Sequence, residues 1–410
     1  MAGFSIPLSG LAASSSALNV IANNLANLNT DGYKDESLSF SSIFNQMQGT
    51  SGNGDPIQVG NGVEIAGSVS NFSDGTVTST GVASNMALQG DGFFVVQGNG
   101  ATDYTRDGSF TVNSDGYLCT SSGQLVMGYP ATNGVVSTGS ALAPISVSSV
   151  GVVPGSATSS FQMTTNLNAS ASTGTTFSAP MTVYDSLGES HLLTVTYTNT
   201  GTNSWSYNIT LPAADTGGTG SATTLASGTL SFDSTGKLTS PTGSVTGINI
   251  TGLADGAADM NLAWNLSDSS GNGLITQQSS TSATSASSQN GYASGTLTGY
   301  TVLSDGTVQG EFSNEQTLAL GQVAVARFNN NNGLIQQGNN YLASFSSGAA
   351  IIGQAGSGGD GTITSSSVEA SNVDLASEFS KMIVAQQGYQ ANAKVLTTMN
   401  QISQATMQIL

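Results

Sequence analysis

Phe4-Ser5-Ile6-Pro7-Leu8-Ser9-Gly10-Leu11-Ala12-Ala13-Ser14-Ser15-Ser16-Ala17-Leu18-Asn19-Val20-Ile21-Ala22-Asn23-Asn24-Leu25-Ala26-Asn27-Leu28 places Phe4, Leu11, Leu18 and Leu25 seven residues apart, with Ile21 and Leu28 each three positions after a member of that series. Residues so spaced share one helix face. Ser5 ahead of Pro7 offers a helix start, and Asn29-Thr30-Asp31-Gly32 a stop and turn. At the other end, Leu375, Met382, Tyr389, Leu396 and Leu410 fall on one heptad position, interrupted by Ser403, with Phe379, Ala393 and Met407 four positions after members of that row. The two stripes predict a coiled coil made from opposite ends of one chain. The ends must then meet, and the middle must loop out.

The middle is rich in Gly, Ser, Thr and Asn and reads as short strands and turns. The fold class expected is mostly β with terminal α-helices, in a nested order. Residues 1–30 with 370–410 form the terminal coiled coil, 31–71 with 350–369 extended connecting segments, 72–150 with 290–349 an antiparallel β-domain, and 151–289 an inserted β-domain. Gly90-Asp91-Gly92 before Phe93-Phe94-Val95-Val96 reads as a hairpin turn, as do Asp107-Gly108 and Asp115-Gly116. Met181–Tyr184 and Leu192–Tyr197 flank the turn Asp185-Ser186-Leu187-Gly188. The Ser/Thr/Ala run from Ser279 to Ser288 reads as the exit linker of the insertion, Gly348 to Gly361 as a second flexible stretch, and Ser371, Asn372 and Asp374 as caps of the terminal helix.

Charged residues are only 7% of the 410, with 24 acidic against 6 basic and a net charge of −18. A phosphate backbone or an anionic bilayer is repelled by that balance, so no nucleic acid and no membrane insertion are expected; no unbroken run of 18 or more apolar residues occurs. The single cysteine, Cys119, excludes an internal disulfide framework. The first basic residue is Lys34, which leaves the N-terminus without the charged region of a secretory signal.

Catalysis has little material. His191 is the lone histidine, expected to be a packing or surface residue, and no Gly-x-Ser-x-Gly elbow occurs. Gly90-Asp91-Gly92 lacks a third glycine and opens a strand, against dinucleotide binding. Asp103, Thr105, Asp107 and Gly108 mimic a calcium loop, but the twelfth position is Ser114. One Cys and one His do not make a structural zinc site of the usual ligands. No catalytic residue, cofactor or metal is expected.

Two terminal segments carry a resemblance. Ser9-Gly10-Leu11-Ala12-Ala13 and Ile21-Ala22-Asn23-Asn24-Leu25-Ala26-Asn27-Leu28-Asn29-Thr30-Asp31-Gly32-Tyr33-Lys34 resemble the N-terminal signature of the bacterial flagellar rod and hook protein family. Asn372-Val373-Asp374-Leu375, Glu378-Phe379, Met382-Ile383 and Gln390-Ala391-Asn392-Ala393-Lys394 resemble its C-terminal half. Gly92, Phe93 and Phe94 with Tyr104 and Arg106 look like a β-segment shared by the group. Val183 to Gly188 through His191 is similar to the outer domain of its hook members, which distal rod members lack. Gln387-Gly388 departs from the family's Gln-Arg.

The resemblance implies a self-polymerising subunit of the extracellular hook, a flexible hollow helical tube that couples rod to filament and transmits torque. Terminal helices would line the channel, the β-domain form the wall, and the insertion lie outside. The assembly residues it implies are Phe4, Leu11, Leu18, Ile21, Leu25, Leu28, Leu375, Phe379, Met382, Tyr389, Leu396, Met407 and Leu410. Its motif positions are Asn23, Asn24, Asn27, Asn29, Thr30, Gly32, Tyr33, Gly92, Phe93, Phe94, Tyr104, Arg106, Gln390 and Asn392. It also implies, as partners, copies of the chain, the distal rod protein, the hook cap protein, the hook–filament junction protein and the flagellar type III export apparatus, without a cleavable signal. A distal rod subunit and an extracellular β-rich adhesin are the alternatives. Because an isolated uncharged helix of this composition is marginal in water, the ends are expected to order only on assembly.

Overall fold

Two helices, Ser5–Ala26 (α1) and Leu375–Ile409 (α2), begin and end the folded chain. The computed structural model describes residues 4–44, 46–50, 56–98, 100–148 and 151–409, so Leu410 lies outside the described residues. The chain divides into two compact units: Met1–Ser149 with Gly299–Gly310 and Thr317–Leu410, and Val150–Thr298 with Glu311–Gln316.

In the first unit α1 and α2 run antiparallel. Gly10 opposes Asn392, Ser14 opposes Gly388, and Asn24 opposes Glu378, so each step up one helix is a step down the other. The ends expected to be disordered are therefore helical in the single chain. Neither helix is isolated, and each supplies what the other's weak intrinsic propensity lacks. By length and composition α1 also passes as a membrane-crossing helix, which corrects the expectation that no stretch could span a bilayer; in this structure its inner edge lies along α2.

Residues 31–71, expected to be extended connectors, contain the antiparallel hairpin Glu36–Ser42 with Val63–Ser70. The sheet of this unit is built on Leu125–Thr132, paired with both Thr317–Arg327 and Phe93–Gly98. From Phe93–Gly98 it extends through Ala101–Thr105 to Asn340–Leu342. Alternation puts Phe93, Val95, Met127, Tyr129, Ala324 and Ala326 into one core. There Phe93 meets Phe72, Phe328 and Tyr341 at ring separations of 5.4 to 5.9 Å. Phe94 packs on Phe110 from the opposite face, which is why Phe93-Phe94-Val95-Val96 is apolar without a break. Gly90-Asp91-Gly92 is no hairpin. Met86–Gln89 pairs with Thr362–Ser365, whereas Phe93–Gly98 belongs to the larger sheet, so the chain turns a corner between sheets. Gly92 has φ +135°, and a Cβ there would stand 2.4 Å from Val325 Cγ1. The stretch after Gly348 also holds a strand, Ile351–Gln354, on Thr317–Arg327.

Among its described residues, the second unit holds two five-stranded sheets that share one core. The first is a meander of Thr176–Tyr184, Ser190–Gly201, Ser204–Leu211, Thr223–Phe232 and Leu238–Ser240. The second centres on Ser160–Asn168, which runs parallel to Met260–Asn265 and Ile275–Gln278. Tyr197, Trp205, Phe161 and Trp264 are fully buried between the sheets. The supposed exit linker is the strand Ala283–Gln289, antiparallel to Ser160–Asn168. Its small residues suit a linker by composition, but they pair across the sheet, where Thr284 Oγ1 meets Thr165 Oγ1 at 3.0 Å.

Candidate assembly surface

The row of small residues on α1, not the row of large ones, meets α2. An ideal Cβ on Gly10 would lie 2.8 Å from Asn392 Nδ2, and one on Gly388 would lie 3.3 Å from Ser14 Oγ. The same antiparallel register carries Ala17 toward Ala385 and Ile21 toward Lys381. Positions 10, 14, 17, 21 and 24 thus face 392, 388, 385, 381 and 378, each series stepping by alternate threes and fours. Small side chains let the backbones approach. Gly388 stands at this close crossing.

The expected coiled-coil seam of large side chains is consequently not the contact between the ends. Phe4, Leu375, Phe379, Tyr389 and Met407 are exposed, Phe379 by 49% and Met407 by 69%. Leu11, Leu18, Leu25, Leu28, Met382 and Leu396 are half-buried, and only Ile21 of the predicted assembly residues is buried. Ile383 and Val384, 55% and 69% exposed, add to the uncovered apolar surface of α2. Alongside, a groove of about 780 Å³ lies among α1, α2 and the hairpin, bordered by Ala13, Val20, Leu38, Phe40, Val63 and Val384. Within one chain, the helices set mostly small residues against each other and leave the large ones, Ile21 aside, half-buried or exposed. The α2 helix is also longer, 35 residues against 22, so its final turns extend beyond α1.

The motif asparagines do a different task. Asn24, fully buried, donates through Nδ2 to Glu36 O at 2.8 Å and Glu378 Oε2 at 3.2 Å. Its Oδ1 accepts from the Tyr33 hydroxyl at 3.0 Å and from Glu36 N at 3.1 Å. All of its hydrogen-bonding capacity is met, as a buried amide requires. Burial, then the charges of Glu36, Asp35 and Glu378, push the Tyr33 phenol up to about 12, so it stays a donor. Asn23 Nδ2 donates to the same hydroxyl at 3.1 Å; Asn27 Nδ2 caps back to Asn23 O at 2.9 Å, and Thr30 donates to Asn27 Oδ1 at 3.0 Å. Asn29 and Gln390 are exposed. Gly32 closes the turn at φ +69°, its N–H bound to Glu369 O at 2.7 Å.

Below this turn the two ends are joined to the β-core by a buried ionic node. Lys34 Nζ meets Glu369 Oε1 at 2.6 Å, both side chains being at most 1% exposed. Glu369 Oε1 also accepts from Gly75 N at 2.7 Å, and Glu369 Oε2 lies 3.5 Å from Arg106. Arg106 donates to Gly90 O at 2.7 Å, reaches Asp74 at 3.4 Å and covers the Phe93 ring at 5.5 Å. Burial, reinforced by the Arg106 charge, lowers the Lys34 ammonium from its ordinary value despite Glu369. On the C-terminal side, Asn372 accepts from Asp35 N at 2.7 Å and donates to Asn71 O at 2.8 Å. Asp374 Oδ1 caps α2 at Ser377 N, 2.8 Å away.

The motif positions Asn24, Gly32, Tyr33, Gly92, Phe93, Phe94, Tyr104 and Arg106 are therefore buried and structural, and the first unit brings them together. Sequence reasoning missed Lys34 and Glu369 as members of the node, Glu378 as the partner of Asn24, and the small seam of Gly10, Ser14, Ala17, Ala385 and Gly388. The second was legible as alternating three- and four-residue steps in both helices, had small residues been weighed like large ones.

Sequence models of known families match four segments: flagella basal body rod protein over residues 6–34, flagellar hook protein FlgE/F/G D1 domain over 87–155, flagellar basal body protein FlaE D2 domain over 152–292, and flagellar basal body rod FlgEFG protein C-terminal over 364–409. The chain is 37% identical to the flagellar hook protein FlgE of Salmonella typhimurium, covering 97% of this chain and 98% of that protein. It is 34% identical to that of Rhizobium meliloti, covering 95% and 94%. Among solved structures, the Helicobacter pylori flagellar hook protein FlgE2 shares the fold, with a TM-score of 0.52 over 72% of this chain and all of that one, at 15% identity.

Proposed function

The chain belongs to the flagellar hook protein family, and on that premise we propose how its structure serves assembly. It is a structural subunit of the bacterial flagellar hook, not an enzyme by family. Copies polymerise into a flexible hollow tube that joins rod to filament and transmits torque. The observation that carries the assembly mode is the division of labour on the helices: a small-residue seam inside each chain, and the exposed row of Leu375, Phe379, Ile383 and Tyr389 outside it.

Each exposed Leu, Ile or Phe that becomes buried against another copy contributes about 1.5–3 kcal/mol. Several such residues per subunit offset the lost freedom of association, which one alone does not. The contact is head-to-tail and does not close, so it propagates as a helical tube. In this reading 1–30 with 370–410 line the channel, 72–150 with 290–349 form the wall, and 151–289 lies outside. Bending arises as wall surfaces, poor in charge, slide by small shear steps while the inner helices stay packed.

The neighbours we assign are the distal rod protein below, the hook cap during growth and the hook–filament junction protein above, with delivery through the flagellar type III export apparatus. A distal rod subunit is the alternative within the family, and it predicts straight rigid tubes. Negative-stain microscopy of purified chain under mild precipitant tests this. Curved hollow tubes are expected; straight rods that snap on bending, or no polymer at all, would refute the flexible-coupling role.

A further inference from the structure

We propose that the second unit carries a divalent transition-metal site of the zinc class, built by His191, Asp185 and Asp255 and oriented by Asp215. The proposal is independent of the assembly reading. His191, Asp185 and Asp255 each offer one donor atom, and these atoms lie within 4.8 Å of one another. Asp185 is fully buried and His191 is 5% exposed.

Three features point to a cation rather than to an ordinary polar cluster. First, the imidazole is held from behind. Nδ1 lies 3.0 Å from Asp215 Oδ2, and since a carboxylate only accepts, Nδ1 carries a proton, while Nε2, facing Asp185, carries either a second proton or, once deprotonated, a lone pair for a metal. Carboxylate–histidine pairs of this kind fix the tautomer of metal-binding histidines.

Second, the group in front of that lone pair is another acceptor. Asp185 Oδ2 stands 3.3 Å from Nε2. This is about the 3.3 Å edge expected between two ligands of a tetrahedral ion with bonds of roughly 2.0–2.1 Å. Third, the rest of Asp185 is already committed. Its Oδ1 accepts from Leu187 N at 2.8 Å and Glu189 N at 2.9 Å, which leaves Oδ2 as a fixed single ligand, while an Asp255 carboxylate oxygen lies within the same 4.8 Å cluster. Two carboxyls and an imidazole whose donor atoms lie within 4.8 Å of one another are balanced by a positive charge among them, either a proton or a metal.

One nitrogen and two carboxylate oxygens suit zinc or its neighbours better than magnesium or calcium, which favour all-oxygen sets. The fourth position is left to water. Such an ion joins the turn at Asp185–Gly188, the strand of His191 and the loop of Asp255, and so couples the second unit's stability to metal supply. The expectation that one Cys and one His exclude a zinc site does not reach this donor set, because the other ligands are carboxylates.

The test uses the full chain, stripped with EDTA and dialysed, at about pH 7.5, where ligands are largely deprotonated. Calorimetric titration with Zn²⁺ is expected to show one saturable site per chain and a raised melting midpoint for the second unit, followed by tryptophan fluorescence. Mg²⁺ at the same concentration leaves that midpoint in place. His191→Gln and Asp255→Asn should each weaken binding by tenfold or more. Asp255 is exposed, so its variant decides the matter where His191→Gln folds poorly. Asp215 is a positioning residue. Asp215→Asn should weaken Zn²⁺ roughly ten- to hundredfold yet retain the visible absorption of the Co²⁺-loaded chain, which His191→Gln abolishes. Absence of a saturable site, or unchanged affinity in both His191→Gln and Asp255→Asn, overturns the proposal and leaves a proton as the bridging charge.

Discussion

Replacing Glu369 by Gln keeps the shape of the buried node and removes its charge. The amide oxygen can still accept from Gly75 N, now 2.7 Å from the carboxylate. Lys34, whose ammonium sits 2.6 Å from Glu369 with neither side chain more than 1% exposed, loses its one carboxylate partner. Arg106 is left with Asp74, whose side chain is 43% exposed and whose screening by water makes it a weak substitute. Breaking a buried ion pair by removing one member typically costs about 3–5 kcal/mol, since the survivor is stranded in a low-dielectric site. Here Lys34 has an escape. Burial and Arg106 already depress its pKa, so it can shed its proton, and the lower end of the range, about 3 kcal/mol, is expected.

Urea unfolding followed by far-UV circular dichroism reads this out. Both tryptophans, Trp205 and Trp264, lie in the second unit, so fluorescence supplies an internal reference whose transition should not move. Combining Glu369→Gln with Lys34→Met should recover much of the loss, because the stranded ammonium is gone. A change below about 1 kcal/mol, or a double variant as unstable as the sum of the singles, would refute the reasoning that the pair is a buried, coupled unit.

Gly10→Leu should overpack the helix crossing, where a Cβ alone would come within 2.8 Å of Asn392, and destabilise the first unit by about 1–3 kcal/mol in the same assay. Limited proteolysis of the monomer should remove the turns of α2 beyond α1, around Ile402 and Met407, which are 61% and 69% exposed, well before the segment opposite α1; equal rates along α2 would contradict the seam. In EDTA, the second unit's melting temperature should depend on pH at two places. Burial pulls the His191 pKa down, but hydrogen bonds to Asp215 and Asp185 together with their charges outweigh it, so the pKa is raised. Its contribution is therefore complete below 6.5, its ordinary value, and fades as pH rises through the higher folded value. Asp185 is held below 3.8: burial opposes this, but contacts with Asp255, Glu189 N, His191 and Leu187 N prevail, so its contribution is present above 3.8 and lost on further acidification. His191→Gln should erase only the decline on the alkaline side.

Much of the architecture was legible in the residues. Both helices, the β-rich middle and the turn Asp185–Gly188 follow from period, cap and turn chemistry. What misled was local composition taken alone. Ser279 to Ser288 looks like a linker because its residues are small, yet Thr284 and Ala286 register against Thr165 and Thr164 across a strand pair. Gly90-Asp91-Gly92 has the composition of a hairpin and serves as a corner, because the strands it joins find partners far away in sequence. Weighting large apolar residues picked the wrong seam for the same reason. Close backbone approach is driven by what is missing at Gly10, Ala17 and Gly388, and a search for hydrophobic mass passes over it. The buried node was invisible for another reason: Lys34 and Glu369 are 335 positions apart, and nothing local joins them.

The central claim is that the uncovered apolar row of α2 holds copies together while the small-residue seam holds each chain's own ends. Electron microscopy of the Phe379→Asp/Ile383→Asp variant beside the parent chain, under identical polymerising conditions and with monomer circular dichroism recorded for both, tests it directly. The account predicts hollow tubes from the parent and none from the variant, with matching monomer spectra and melting. Tubes of normal diameter and yield from the variant would contradict it.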